Sequence, residues 1–119
     1  MELRRKRAYD NATAEDGLRV LIDRLWPRGV SKEKAAIDLW PKDIAPSTEL
    51  RRDWHAAPDD FEVNAERYRA QLANESADAL QSLVDELQGR PVVTLVYALH
   101  DTEHNHAVVL EGVLKSRLG

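Results

Sequence analysis

Apolar positions recur along the chain with two periods. Phe61, Ala65, Tyr68 and Leu72 fall at i, i+4, i+7 and i+11 and line one face of an α-helix. Leu80, Leu83, Val84 and Leu87 keep the same period, with Ser76 ahead of them as a cap and Gly89 behind them as a stop. Pro91–Ala98 breaks the pattern: a continuous, β-branched apolar run reads as a strand covered on both faces. Leu18–Leu25, opened by Gly17 and stopped by Pro27 and Gly29, reads as a second buried strand neighbouring it. Leu3–Ala8 precedes a turn-like Asp10-Asn11-Ala12-Thr13 stretch and gives a third strand; Ile37–Trp40, closed by Pro41, gives a short fourth. Further helices are predicted from a Ser31 cap through Ala36, from Ser47 or Thr48 through Trp54, and from Glu103 onward, where Ala107, Leu110, Leu114 and Leu118 share one side.

Strands separated by helices predict an α/β fold. The expectation is a single three-layer-like domain over residues 1–119, with a small, partly parallel central sheet flanked by helices. No repeat, linker or low-complexity tract divides the chain, and 119 residues suit one domain. The longest apolar run, Val92–Leu99, is interrupted by Thr94 and falls far short of the roughly 18 residues that a membrane span needs. No apolar signal core follows the basic start, so a soluble, cytoplasmic protein without a membrane partner is expected. The absence of cysteine excludes disulfides, zinc-thiolate sites and thiol nucleophiles. No cofactor is expected.

Charge changes this picture in one respect. The net charge is −4, yet residues 1–34 carry a net +3 and residues 35–119 a net −7. A basic N-terminal third on an acidic chain can be aimed at an anion, or can simply solvate a face and pair with the acidic helices.

Two segments carry candidate chemistry. Asp23-Arg24-Leu25-Trp26-Pro27-Arg28-Gly29 ends a predicted strand, where ligands of open α/β sheets bind. Arg24 and Arg28 offer planar forks for phosphate or carboxylate, Asp23 an orienting carboxylate, and Trp26 a flat wall. The same residues serve equally to brace a turn, with Trp26 in the core. The second segment, Tyr97 to Ala107, runs off the central strand into the last helix. There Asn105 and His106 are expected in a first turn whose free N–H groups favour an anion. Asp101 is expected to cap that helix or to orient a histidine. His100, His104 and His106 invite a metal, but His-x-x-x-His needs helical geometry and His100 precedes the helix, so no metal is expected.

Arg7-x-Tyr9-Asp10, Asp16-Gly17-x-Arg19 through Gly29, Lys34, Ala45-Pro46-Ser47 and Tyr97-Ala98…Asp101…Asn105-His106-Ala107 together resemble the YeaO-like family (domain of unknown function 488). The resemblance covers essentially the whole chain and implies the same α/β domain, with no activity attached. Longer relatives in the wider superfamily have Cys-x-Glu and Cys-His-Arg in place of Tyr97-Ala98-Leu99 and Asn105-His106-Ala107. That arrangement is similar to the anion cradle of rhodanese-like and cysteine-phosphatase domains. Without cysteine, thiol transfer does not carry over. Some relatives bear a methyltransferase label, but no Gly-rich nucleotide loop follows the first strand.

Two functional readings follow. In one, an enzyme acts on a small anionic or nucleotide-like substrate, with His106 as acid or base tuned by Asp23 or Asp101, and with Arg24, Trp26, Arg28, Tyr97 and Asn105 lining the pocket. In the other, a non-catalytic module binds nucleic acid or a phosphorylated ligand through Arg4–Arg7, Arg24, Arg28 and Lys34, with Trp26 stacking. A purely bracing role for both segments is the third possibility.

Overall fold

The computed structural model describes residues 1–118. Three strands, β1 (Glu2–Arg7), β2 (Leu18–Leu21) and β3 (Val92–Tyr97), form one parallel sheet in the order β1-β3-β2. Five helices follow: α1 (Lys32–Ala35), α2 (Thr48–Ala56), α3 (Phe61–Ala73), α4 (Ala77–Leu87) and α5 (His106–Leu118). Single 3-10 turns lie at Ala14–Asp16 and Lys42–Ile44. Among the described residues no helix is long and apolar enough to cross a membrane.

The continuous apolar run takes the central place because it has two faces to cover. Val93, Leu95 and Tyr97 pack with Val20, Ile22 and the inner sides of α2 to α5. Val96 points the other way, joining Ala8 and Leu21 under Trp26, Ile37 and Trp40. The helical stripes of α3 and α4 bury Ala65, Tyr68, Leu72, Leu80, Leu83, Val84 and Leu87. Each fully buried side chain of leucine size contributes about 1.5–3 kcal/mol, so the helix-covered face carries most of the apolar stabilisation. The opposite face is covered by Trp26, Ile37 and Trp40 from the long connection between β2 and α2, whose one α-helix is the short α1.

Three of the four expected strands and the expected helices form, with boundaries that the local chemistry explains. β2 pairs only as far as Leu21; Ile22 N–H still reaches the Val96 carbonyl at 3.0 Å, and the chain then turns away. Leu25, expected inside the strand, is 60% exposed. Ile37–Trp40 contributes one parallel bridge, Leu39 to Val20, rather than a strand. Ser31 and Ser47 cap their helices as expected, accepting from the N–H groups of Lys34 and Leu50. Ser76 does not cap; its hydroxyl donates to the Asp43 carbonyl and accepts from Gln71. The last helix starts at His106 instead of Glu103. Asp101 Oδ1 captures the N–H groups of Glu103 and His104 in a turn, and Asn105 becomes the cap by accepting from Val108 N–H at 3.1 Å.

A buried ion pair anchors the second face. Asp16 bonds Arg19 at 2.7 Å, Lys6 at 3.2 Å, and both the N–H and hydroxyl of Thr13. Burial alone would push the Asp16 pKa up, but the bonds from Thr13, Lys6 and Arg19 outweigh it and hold the carboxyl below its ordinary value. Gly17 follows with φ +62°, where a Cβ would lie 2.3 Å from the Val92 carbonyl oxygen; only glycine fits this turn.

Candidate functional site

Because Ile22 is bonded to Val96, Asp23 emerges beside the first residue past β3. One carboxylate oxygen of Asp23 accepts from Ala98 N–H at 2.9 Å, and the other meets His106 Nε2 at 2.8 Å. The Asp23 carbonyl accepts from the Trp40 indole N–H at 2.7 Å. Two segments 83 residues apart are thereby joined at the carboxyl ends of adjacent strands. The side chains of His106 and Asp23 are only 12% and 17% exposed. A carboxylate can only accept, so the bond fixes the proton on Nε2 and leaves Nδ1 as the ring's remaining polar atom.

His106 is the first residue of α5, and its ring meets the fully buried Tyr68 edge-on at 6.2 Å. The Tyr68 hydroxyl donates to the Ile44 carbonyl at 2.6 Å. Burial raises the Tyr68 pKa far above the ordinary phenol value; Asp23 adds to the rise and Arg24 opposes it. The phenol is therefore a neutral donor. Arg24 reaches the same backbone, with a long 3.4 Å bond from Nη2 to the Ala45 carbonyl. Its Nε is buried and unbonded, and among the described residues no carboxylate pairs with it.

The turn from β3 to α5 is held from the other edge of the sheet. Arg7 donates to the carbonyls of Leu99 and Ala98 at 3.1 and 3.2 Å, and Arg5 to the Thr102 carbonyl at 2.8 Å and to Glu111 at 2.6 Å. Asn105, fully buried, donates to the Asp101 carbonyl at 2.6 Å. The turn is thus fixed by its own chain on both sides, which holds His106 in place for whatever approaches it.

The other candidate residues sit elsewhere. Trp26 donates to the Val30 carbonyl at 2.7 Å and packs edge-on against Trp40 at 5.4 Å, on the face of the sheet opposite the α3–α5 layer. Arg28 is exposed and its side chain makes no bond among the described residues; its carbonyl accepts from the Tyr9 hydroxyl. Tyr97 is buried, with a pKa raised by burial against the opposing influence of Arg5, Asn105 and Arg7. Asp101 is exposed and pairs with the His104 ring at 3.2 Å, its pKa held low by the Glu103 and His104 N–H groups. The carboxylate that orients His106 is Asp23, while Asp101 orients His104. Among the described residues no three histidine or carboxylate side chains converge as a metal site would require.

Sequence reasoning missed Tyr68 and Trp40 as contributors and read Arg5 and Arg7 only within a basic Arg4–Arg7 cluster for nucleic acid or a phosphorylated ligand. Tyr68 was legible only as core, and Trp40 only as the end of a strand; the signal was that a partly buried indole or phenol must find a partner for its donor. Arg5 and Arg7 are two apart and so share one face of β1, but it is the strand order that sets them beside the turn beyond β3.

The family described as "Inactive DUF488-N3 subclade" (DUF488-N3i) matches residues 2–119. The chain is 43% identical to "Uncharacterized protein YeaO" of Escherichia coli (strain K12), over 98% of this chain and 99% of that protein. It is 40% identical to "Uncharacterized protein Mb3100c" of Mycobacterium bovis and "Uncharacterized protein Rv3073c" of Mycobacterium tuberculosis, in each case over 93% of this chain and 92% of the relative. No solved structure matches the chain at a significant level.

Proposed function

The chain belongs to the YeaO-like DUF488 family, within its inactive DUF488-N3 subclade, and from that premise we propose that it binds a small phosphate- or carboxylate-bearing ligand without transforming it. The observation that carries the reading is Arg24. A guanidinium with a buried, unbonded Nε and no carboxylate partner is an incomplete arrangement, because desolvated charge is costly unless it is paired. An incoming anion completes it, and the planar fork suits the two oxygens of a phosphate or carboxylate. Asp23, the residue before Arg24, holds His106, whose Nδ1 would offer the ligand a second polar contact.

A nucleic acid is the weaker candidate. Its contacts would have to come from Arg4–Arg7 on one edge strand and from Arg24, Arg28 and Lys34 after the other, and the order β1-β3-β2 sets these groups on opposite sides of the central strand instead of along one backbone track. The carboxylate-held imidazole favours a second reading, in which His106 moves a proton on the bound ligand. That reading requires turnover, which His106→Gln would abolish while weakening binding less than Arg24→Gln does.

The test is thermal unfolding of wild type and Arg24→Gln with phosphate, pyrophosphate, acetate or chloride at equal ionic strength. A ligand that binds only the folded state raises the melting temperature. Phosphate or carboxylate should stabilise the wild type beyond chloride and should not do so for Arg24→Gln. Equal shifts in both proteins, or none in the wild type, would overturn the proposal.

A further inference from the structure

β1 is an edge strand, and one side of its backbone is unspent. Glu2 N–H donates to the Pro91 carbonyl and Ala8 N–H to the Tyr97 carbonyl. In a parallel ladder alternate residues face the same neighbour, so Glu2, Arg4, Lys6 and Ala8 face β3 while Leu3, Arg5 and Arg7 face outward. The Arg7 carbonyl is taken by Asp10 N–H; among the described residues nothing bonds the N–H or carbonyl of Leu3 or Arg5, or the N–H of Arg7. A groove of about 560 Å³ borders this strand, with Asp10, Tyr97, Thr102, Glu103 and Glu111 also in its lining. Five consecutive residues, Leu3 to Arg7, line it. Successive side chains of a strand point to opposite faces, so five in a row share a groove only when it follows the edge.

We propose that this edge receives an extended, acidic segment of a partner protein as a fourth strand. The backbone supplies donors and acceptors at the two-residue spacing of an added strand, which is how sheet edges capture peptides. Charge selects the occupant. β1 carries four cations and one carboxylate, so a second β1 from another copy would set like charges face to face; the groove also holds Asp10, Glu103 and Glu111, the last paired with Arg5 and Lys115, so a partner's acidic side chains fall against Arg4, Arg5 and Lys6. The arginines are partnered within the fold, but a guanidinium has five donors and can share a second carboxylate. The site lies on the β1 side of β3, apart from Arg24 and His106, and does not depend on the anion reading.

The experiment uses the full chain and a labelled peptide of alternating glutamate and threonine, with a lysine–threonine peptide of equal length as control. Two versions of the acidic peptide are N-methylated at alternate residues, one set blocking the groups facing β1 and the other those facing away. Binding is read by fluorescence anisotropy and by amide hydrogen exchange. The acidic peptide should bind, the lysine peptide should not, and only one methylated version should weaken, by about tenfold or more as several hydrogen bonds are lost. Leu3, Arg5 and Arg7 amides should gain protection on binding, while Arg4 and Lys6 amides should be protected from the start. Equal binding of both methylated peptides would mean charge attraction alone and would overturn the proposal. So would absence of binding, unchanged exchange at the three outward amides, or their protection in the peptide-free protein through self-association.

Discussion

Two Asp–Arg clusters flank β2, and they differ in how fully their charges are spent. At its start, Asp16 collects Thr13, Lys6 and Arg19, with the Asp16 and Arg19 side chains 4% and 3% exposed. Arg19 also reaches the Ala35 carbonyl, so cation and carboxylate are paired to each other. At its end, Asp23 turns to Ala98 and His106 and leaves Arg24 with a single long bond to a carbonyl. The first cluster leaves only Arg19 Nη2 unbonded and matches its cation to a carboxylate, so it reads as a brace. The second combines a carboxylate-held imidazole with an uncompensated cation at the carboxyl ends of the strands, where an α/β sheet presents ligands. Residue type alone does not separate a brace from a site; the accounting of partners does.

The largest expected effect lies in the first cluster. Asp16→Asn leaves Arg19 buried without a counter-charge and should cost about 3–5 kcal/mol at neutral pH, measured by denaturant unfolding. Since the folded-state pKa of Asp16 is depressed, its stabilisation is present above the unfolded value of about 3.9 and is lost as pH falls through the lower folded value. The gap between wild type and variant should therefore shrink below about pH 4. A constant gap down to strong acid would mean that shape, not charge, anchors this turn.

An intermediate effect is expected at the junction. Asp23→Ala leaves Ala98 N–H and His106 without their acceptor and should cost about 1–3 kcal/mol, with His106→Ala in the same range. The double variant should cost less than the sum of the two singles, because they share one bond. Strict additivity would show that the Asp23–His106 contact does not couple the two segments.

The smallest effects should fall on the open cations. Arg28→Ala should change stability by no more than about 0.5 kcal/mol, as exposed substitutions do. Arg24→Gln should cost under about 1 kcal/mol, since it removes a poorly compensated charge along with one long bond. A loss at Arg24 as large as that at Asp16 would move it from site to brace and erase the contrast.

Much of this architecture was legible in the residue pattern. The stripe of α3, the stripe of α4 and the apolar run of β3 are long enough for periodicity to decide their type, and the placing of β2 next to β3 followed from their shared character. Boundaries were less legible where side chains compete with the backbone. Asp101 takes two N–H groups that a helix from Glu103 would have needed, and Leu25 is apolar but has no facing surface to cover. The approach of Asp23 to His106 could be anticipated, because both lie just past strand ends. The isolation of Arg24 could not, since the lack of a partner depends on every element around it. Nor could the two-sided clamp on the β3–α5 turn, which depends on strand order as well as on Arg5 and Arg7.

The most direct measurement is calorimetric titration of pyrophosphate into wild type, Arg24→Gln and Arg28→Ala at fixed ionic strength. Wild type and Arg28→Ala should bind with equal affinity, and Arg24→Gln should bind about 10- to 100-fold more weakly, the cost of losing a charge-assisted bond. Equal affinity for all three proteins, or the greater loss at Arg28, would contradict the assignment of Arg24 as the unspent cation on which the site is built.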